Sequence, residues 1–404
     1  MRIAYIVFYQ GPGLEKNRPC LHNLSLGSKA KVELIAELLR KSSHEVEIIS
    51  PGEVDRNEFR FYPSFTETDL FHRDIPIYYS SALPIRFITG FWSGYRTRQL
   101  FKSRHKSSPF ELVITQTMKR AQLACAHYAI RRLGLPVILQ YEDDSFVDVR
   151  GESASGFISK YHQNTYTRML KRVSGCMAVS PHLLSQLPSS IPKLLLRGVV
   201  GNAIINSNHQ PMACRGNWVV FSGTHEGAQG LEQMIKAWRM LELPSWELHI
   251  AGRGPITPAL EKLAGNDPSI LFHGFLSREE NARLLCMARI GMNPQDVTQI
   301  PGTSFAFKII EYLAAGLHVI TTPRGALEPE LEVGISYIND NSPDTIAKAL
   351  KRVIDARSYE RSAQDAAITA YGPDAISRGL NRLVEEAKAF AASCRSSQGS
   401  AVRS

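Results

Sequence analysis

Residues 218–251, WVVFSGTHEGAQGLEQMIKAWRMLELPSWELHIA, contain one complete unit of the fold that the sequence predicts. Two short apolar segments, 218–222 and 246–251, have the composition of buried strands, and apolar residues between them recur at helical spacing. A glycine-rich loop, 223–230, separates the first strand from the helix. A strand, a helix and a second strand in this order are typical of a parallel sheet covered by helices.

The same alternation of strands and helices extends along most of the chain. It breaks around residues 187–217, which are rich in Pro, Asn and Gly. A length of 404 residues also fits two domains of about 150–200 residues better than one core. We therefore predict an α/β fold of two doubly wound, Rossmann-like domains facing a cleft. The predicted parts are an acceptor-side domain at 1–200, a donor-binding domain at 201–372, a helix at 373–393 that packs back on the first domain, and a disordered tail at 394–404.

Composition limits the classes of partner and compartment. The chain is 44% hydrophobic and 21% charged, as in a soluble globular protein. Its net charge of +9 favours anionic partners such as nucleotides, nucleic acid or an acidic membrane surface, although a basic protein need bind none of them. No apolar stretch is long enough to span a membrane, and the first residues resemble a buried strand more than a signal peptide. The six cysteines lack metal-binding spacing, so we expect a cytoplasmic protein without a zinc site.

The glycine-rich loops are candidate phosphate sites. The first, at 11–13, lacks the third glycine of a dinucleotide-binding loop, because Lys16 stands there, and the chain has no Walker sequence. The loop at 223–230 precedes a helix whose N-terminus could bind phosphate. Arg253, in the loop at 251–255, could donate to phosphate. Each of these loops could also be a plain turn after a strand.

Acidic and basic clusters suggest further contacts. Glu142, Asp143 and Asp144 follow a predicted strand and could act as a general base, as metal ligands or as acceptors from sugar hydroxyls, although their spacing matches no metal motif. Asp143 or Asp144 could instead cap a helix or turn. Residues 86–106 interleave basic and aromatic side chains, which suits an anionic membrane surface or a nucleic acid. The alternative for 86–106 is a solvated helix with an aromatic core stripe.

Lys308 and Glu311 pose the sharpest question about the site. They are three residues apart in TSFAFKIIEYLAAG, a predicted helix at 303–316. They could form a surface ion pair worth about 0.2–0.5 kcal/mol. Because the preceding strand and loop should place the N-terminal end of this helix at the cleft, we favour contact with a ligand.

Four segments of the C-terminal half, in order, resemble glycosyltransferase family 4, which has the two-domain GT-B fold (glycosyl transferases group 1). They are VVFSGTHEGAQGLEQMIKAW, ELHIAGRGP, ILFHGFLSREENARLLCMARIGMNP and FKIIEYLAAGLHVITTP. The N-terminal half is similar in pattern more than in motif, with PVILQYEDDSF as its most family-like piece.

The resemblance implies transfer of a sugar from a nucleoside-diphosphate-sugar donor to an acceptor hydroxyl, with retention at the anomeric carbon and without a metal or other cofactor. The expected product is a polysaccharide or glycolipid made at the inner face of a membrane, and the acceptor is a glycan or lipid-linked sugar. Nucleic acid is a disfavoured partner. The implied catalytic residues are Arg253, Lys308 and Asp143; the donor-binding residues are Gly223, Thr224, Arg253, Ser304, Phe305, Lys308 and Glu311; the acceptor-side residues are Glu142 and Asp143.

Three positions depart from the family pattern. Many members have a glutamate where this chain has Thr303, and an arginine and a lysine where it has Thr224 and Gln229. The sequence from Phe307 to Glu311 instead resembles a Lys-x-x-Glu pattern of other branches. A non-catalytic nucleotide-sugar-binding homologue or scaffold is therefore the alternative function.

Overall fold

The computed structural model describes residues 1–18, 26–52, 54, 59–68, 75–85, 88–116, 119–142, 157–207, 214–299, 305–323, 327–356 and 362–401. The chain divides into two compact units. Unit 1 comprises residues 1–24, 28–196 and 377–404, and unit 2 comprises residues 25–27 and 197–376.

Unit 1 contains an eight-stranded sheet with helices between most of its strands. Its elements are β1 Arg2–Ile6, α1 Pro12–Asn17, α2 Leu26–Lys41, β2 Glu45–Ser50, β3 Phe65–Thr68, β4 Pro76–Tyr79, α3 Thr89–Ser107, β5 Leu112–Gln116, α4 Arg120–Tyr128, β6 Val137–Tyr141, α5 Phe157–Leu170, β7 Gly175–Ala178, α6 Pro181–Ser185 and β8 Lys193–Leu195. A π-helical turn at Ala129–Leu133 extends α4. The strand order is β3-β4-β2-β1-β5-β6-β7-β8, and every neighbouring pair is parallel except β3 and β4.

Unit 2 contains a six-stranded, wholly parallel sheet with the order β11-β10-β9-β12-β13-β14. Its elements are α7 Asn202–Ser207, β9 Trp218–Ser222, α8 Leu231–Arg239, β10 Glu247–Ala251, α9 Thr257–Ala264, β11 Ile270–Gly274, α10 Arg278–Met287, β12 Ile290–Asn293, α11 Phe307–Ala314, β13 His318–Thr321, α12 Pro329–Glu332, β14 Ile335–Tyr337, α13 Pro343–Ala356 and α14 Ser362–Tyr371. The last helix, α15 Pro373–Ala401, begins in unit 2 and continues into unit 1.

The strand order of unit 2 reverses direction between β9 and β12. Numbered from the first strand of the unit, the order is that of a doubly wound nucleotide-binding sheet. At such a reversal the loops after the two central strands diverge and leave a crevice at their carboxyl ends. The fold therefore places the loops after β9 and β12 where a ligand would bind.

Buried apolar side chains on both faces explain why the strands are parallel and central. The central residues of β9 and β10 are buried. Helices α8 and α13 pack on this sheet through Met234, Ile235, Ile346 and Leu350. Strands buried on both faces carry continuous apolar runs, which is the pattern that identified them in the sequence.

The C-terminal end differs from the sequence-based expectation. Helix α15 continues to Ala401, through most of the range 394–404 that was predicted to be a disordered tail. Side-chain-to-backbone bonds support its last turns, since Ser393 and Ser396 donate to carbonyls three residues earlier at 2.8 Å. Nearer its start, Asn381 donates to Ser42 at 2.8 Å, within unit 1.

None of the helices in the described ranges is long and apolar enough to cross a membrane. Among the described residues, Cys125, Cys176, Cys214 and Cys286 are free thiols.

Replacing Leu350 with alanine tests the core of unit 2. Leu350 is fully buried in α13, so we expect the free energy of unfolding of this unit to fall by about 2–5 kcal/mol. Hydrogen exchange of peptides from α13 and β10 across a urea series would measure the change. Met240→Ala is the control, because this side chain is 53% exposed and should shift the transition by less than about 0.5 kcal/mol. Equal shifts would contradict the assigned core.

Candidate functional site

Two glycine-rich loops lie against each other at the carboxyl ends of β9 and β10. His225 donates its backbone N–H to the carbonyl of Arg253 at 3.1 Å, and the N–H of Ile256 donates to the carbonyl of His225 at 3.4 Å. A Cβ at Gly252 would lie 1.8 Å from the carbonyl oxygen of Gly223, so no larger residue fits without moving backbone. The two loops therefore form one surface.

His225 joins these loops through its side chain as well. The residue is 1% exposed, and its Nδ1 lies 2.8 Å from Oγ1 of Thr257, at the start of α9. Burial lowers the pKa of the His225 imidazole, so the neutral ring predominates at neutral pH. His225 could not be identified from the sequence, because a contact between two loops leaves no periodic pattern in a single sequence.

Lys308 reaches from α11 into the loop after β9. Its Nζ donates to Oε1 of Gln229 at 3.0 Å and lies 3.8 Å from the centroid of the Phe221 ring. A Cβ at Gly223 would lie 2.8 Å from this ammonium. The ammonium of Lys308 therefore lies against the loop for which the sequence predicted a phosphate site.

Gln229 links Lys308 to the loop after β12. Its Oε1 also accepts from Nε2 of Gln295 at 3.1 Å. One amide oxygen of the loop after β9 therefore accepts from two residues that follow β12, Gln295 in the loop and Lys308 on α11. Gln229 stands at a position where many members of the family have a lysine. The structure places the ammonium of Lys308 beside it.

Glu311 lies one turn beyond Lys308 on α11, and among the described residues the Lys308 ammonium donates to Gln229 in place of the surface ion pair considered from their spacing. Desolvation raises the pKa of the Glu311 carboxyl to about 7, against the opposing effects of Arg278 and then Lys308. Desolvation likewise lowers the pKa of Lys308 to about 7, while Glu311 acts to raise it. Both side chains are half-buried, so each charge is poorly solvated and would be stabilised by a polar ligand.

The remaining donor-side predictions are spread around this loop surface. Thr224 is half-buried in the loop after β9. Arg253 is exposed, with its guanidinium 5.3 Å from the centroid of the Phe275 ring. Phe305, just before α11, lies under the guanidinium of Arg197 at 5.7 Å. Ser304 and Thr303 lie outside the described residues.

The acceptor-side prediction concerns unit 1, where Glu142 follows β6. Its carboxylate accepts from Nζ of Lys31 at 2.8 Å and from Nε2 of Gln140 at 2.6 Å. Lys31 has a side-chain exposure of 5% and also donates to the carbonyl of Leu196 at 3.2 Å. Glu142 therefore neutralises a buried cation, a role that the sequence did not indicate. Asp143 and Asp144 lie outside the described residues.

Within the part of the chain that the structure describes, no group of three or more His, Cys, Asp or Glu side chains is arranged to hold a metal ion. The loop surface around Lys308 offers one ammonium and, one turn along α11, the carboxyl of Glu311. That set suits a ligand with both an anionic group and hydroxyls.

Several solved structures are similar to this chain in fold over most of their length. Sucrose-phosphate synthase from Thermosynechococcus elongatus matches with a TM-score of 0.65 at 16% identity, over 96% of this chain and 98% of that one. A glycosyltransferase from Rickettsia africae matches with a TM-score of 0.65 at 15% identity, over 95% and 98%. Anabaena HepE in complex with UDP-glucose matches with a TM-score of 0.64 at 12% identity, over 94% and 99%. These matches confirm the predicted GT-B fold.

The C-terminal half matches a family model. Residues 216–356 match the model of the glycosyl transferases group 1, the family that the four motifs resemble. It is also 32% identical, over 115 residues, to a GDP-mannose-dependent α-(1-6)-phosphatidylinositol dimannoside mannosyltransferase of Mycobacterium tuberculosis. That match covers 28% of this chain and 29% of the mannosyltransferase.

Glu142→Ala should destabilise unit 1, because it leaves the buried ammonium of Lys31 without its carboxylate. We expect a loss of about 3–5 kcal/mol in the free energy of unfolding of this unit. Hydrogen exchange in β1 and β6 would measure it. The double variant Lys31→Met/Glu142→Gln should recover most of that loss. A single variant as stable as wild type would show that the ion pair has no structural role.

Lys308→Met tests the desolvated ammonium through pH. The folded-state pKa, about 7, is below the ordinary value of 10.5. Between these values the unfolded chain binds a proton that the folded chain lacks, so stability from this group rises with pH from about 7 to 10.5. Urea unfolding at several pH values should therefore show a rise in wild type that is absent in Lys308→Met. Lys236→Met, at an exposed ion pair with Glu232, should parallel wild type. If Lys308→Met also parallels wild type, the ammonium is not desolvated.

Proposed function

We propose that this chain is a retaining, metal-independent glycosyltransferase. It moves a sugar from a nucleoside-diphosphate-sugar to a hydroxyl of a glycan or lipid-linked acceptor, in polysaccharide or glycolipid biosynthesis. The family and the fold support sugar transfer. Retention, the absence of a metal requirement and the class of product are inferred from the resemblance of the sequence motifs to the family.

The observation that carries the proposal is the position of Lys308. Its ammonium lies in the loop after β9, near Gly223 and 3.0 Å from Gln229, without a carboxylate partner among the described residues. When a sugar leaves a nucleoside diphosphate, negative charge develops on the diphosphate, so a cation at this place would stabilise the transition state. Lys308 would supply from α11 the positive charge that the loop residues Thr224 and Gln229 lack.

Four further residues complete the donor site in this proposal. Glu311, one helical turn along α11 from Lys308, would accept hydrogen bonds from the two ribose hydroxyls. Arg253 would add positive charge from the loop after β10. Ser304 and Phe305, at the approach to α11, would contact phosphate or sugar.

On the acceptor side, Asp143 remains our proposal for the group that contacts the reacting sugars, while Glu142 holds that end of β6 through Lys31. The names of the similar proteins include both a GDP-mannose-dependent enzyme and a UDP-glucose complex. The donor base therefore has to be found by experiment. A thermal-shift panel of UDP, GDP and ADP with their sugars would identify it, because a bound donor stabilises the folded state by mass action.

Lys308→Ala and Glu311→Ala test the donor site. With the donor that the panel identifies, we expect Lys308→Ala to lower kcat about 100-fold, since it removes charge stabilisation at the leaving diphosphate. Glu311→Ala should raise the donor KM about 10-fold or more, through lost hydrogen bonds to the ribose. Steady-state kinetics would measure both, with the exposed Lys236→Ala as the matched control.

Each part of the proposal can fail separately. Unchanged kinetics in both variants would overturn the site assignment. Donor binding without turnover on any acceptor would favour the alternative, a non-catalytic nucleotide-sugar-binding homologue. An inverted anomeric configuration in the product, read by NMR, would overturn retention, and loss of turnover in EDTA would overturn metal independence.

A further inference from the structure

Helix α3 of unit 1 presents one continuous exposed stripe. Ile88, immediately before the helix, and Phe91 and Tyr95 within it are 44%, 57% and 50% exposed. Arg98, Lys102 and Lys106 continue the same stripe at spacings of three or four residues, which places them on one helical face. The opposite face, with Ser93, Gly94, Thr97 and Phe101, is buried. The stripe is therefore apolar at its N-terminal end and cationic at its C-terminal end.

A neighbouring loop enlarges the apolar end. Phe59 and Phe61 are 92% and 55% exposed, and the Phe61 ring lies edge-to-face with that of Trp92, with centroids 6.1 Å apart. Five of the ten large hydrophobic side chains that are exposed in the described residues thus belong to α3 and this loop. A concentration of this kind marks an interaction surface, whereas single exposed apolar residues do not.

The charge of the helix is one-sided. Its 19 residues include no Asp or Glu. Two of its arginines have structural partners, since Arg104 pairs with Glu47 at 3.0 Å and Arg96 donates to Ser81 at 2.9 Å. The exposed cations of the stripe, Lys102 and Lys106, form no ion pair with described residues, so they are available to an anionic surface.

We propose that the stripe of α3, together with Phe59 and Phe61, docks unit 1 on an anionic lipid bilayer. Aromatic and aliphatic side chains would enter the interfacial layer while the cations contact lipid headgroups, which is the arrangement of helices that lie in a membrane surface. A nucleic acid would match the cations but would leave Ile88 and Phe59 without an apolar environment. The bilayer satisfies both ends of the stripe.

The location of the surface deepens the proposed function, on which this step rests. Helix α3 follows β4, so its apolar N-terminal end lies at the carboxyl edge of the parallel strands of unit 1, the same edge at which Glu142 follows β6. Docking at this edge would bring the acceptor side of unit 1 to the bilayer. The surface therefore favours an acceptor that is anchored in lipid.

Co-sedimentation of the full chain with phospholipid vesicles tests the surface. We expect binding to vesicles that contain phosphatidylglycerol and little binding to pure phosphatidylcholine. Lys102→Gln/Lys106→Gln should lower the partition coefficient about 30-fold, at about fivefold for each cation. Phe91→Ser/Tyr95→Ser should lower it at least about tenfold. Lys348→Gln/Arg352→Gln, two exposed cations of α13 in unit 2, is the control of equal charge change and should bind as wild type does.

Several results would overturn the docking surface. The first is that the full chain does not bind anionic vesicles. The second is that Lys348→Gln/Arg352→Gln loses as much vesicle binding as the α3 variants do. The third is that both α3 variants bind as wild type does. An oligonucleotide bound through Lys102 and Lys106 without vesicle binding would assign the surface to nucleic acid. A dimer that Phe91→Ser/Tyr95→Ser dissociates, again without vesicle binding, would assign it to a second copy of the chain. Thermal shifts induced by the donor should be the same in the α3 variants as in wild type, because the proposed donor site lies in unit 2. A failure of the docking surface can therefore be told apart from a failure of the proposed function.

Discussion

The close approach of two backbone loops shapes the candidate site. Neither Gly252 nor Gly254 has space for a side chain. A Cβ at Gly252 would lie 1.8 Å from the carbonyl oxygen of Gly223, and a Cβ at Gly254 would lie 2.3 Å from that of His225. With glycine at both positions, the loops after β9 and β10 can exchange backbone hydrogen bonds. Arg253 is held between these glycines, and Lys308 approaches from the other side. The strand order of unit 2 brings the loops together, and the glycines let them touch.

Lys308 illustrates how a fold can keep a charge in a poorly solvated place. The ring of Phe221 lies beneath its ammonium, and the amide oxygen of Gln229 accepts a hydrogen bond from it. Neither group is an anion. A cation over an aromatic face gains about 0.5–2 kcal/mol, which is less than the cost of losing water. The balance leaves an ammonium that loses its proton more easily than a solvated one, next to a carboxyl that gains one more easily.

The sequence predicted those features that follow from periodicity. Continuous apolar runs identified the strands of unit 2 within one or two residues. The antiparallel strand β3 and the short β8 were not predicted. Polar tail residues suggested disorder at 394–404, whereas local serine bonds extend the helix.

Predicting the site was limited by contacts between distant segments. Lys308 and Glu311 could be selected because the preceding strand and loop fixed the end of the sheet at which their helix starts. Gln229, His225 and Lys31 could not, since each acts through a partner between 32 and 111 residues away. A single sequence contains no trace of those pairings.

Gly230 has a consequence for how this chain can diverge. Its φ of +74° favours glycine, and a Cβ would lie 1.9 Å from the carbonyl oxygen of Pro294. Any other residue at 230 would displace the loop after β12, and with it Gln295, which donates to the neighbouring Gln229. Substitutions at 230 would therefore be tolerated only together with compensating changes near 294 and 295. In evolution these positions should vary jointly, even though 64 residues separate Gly230 from Pro294.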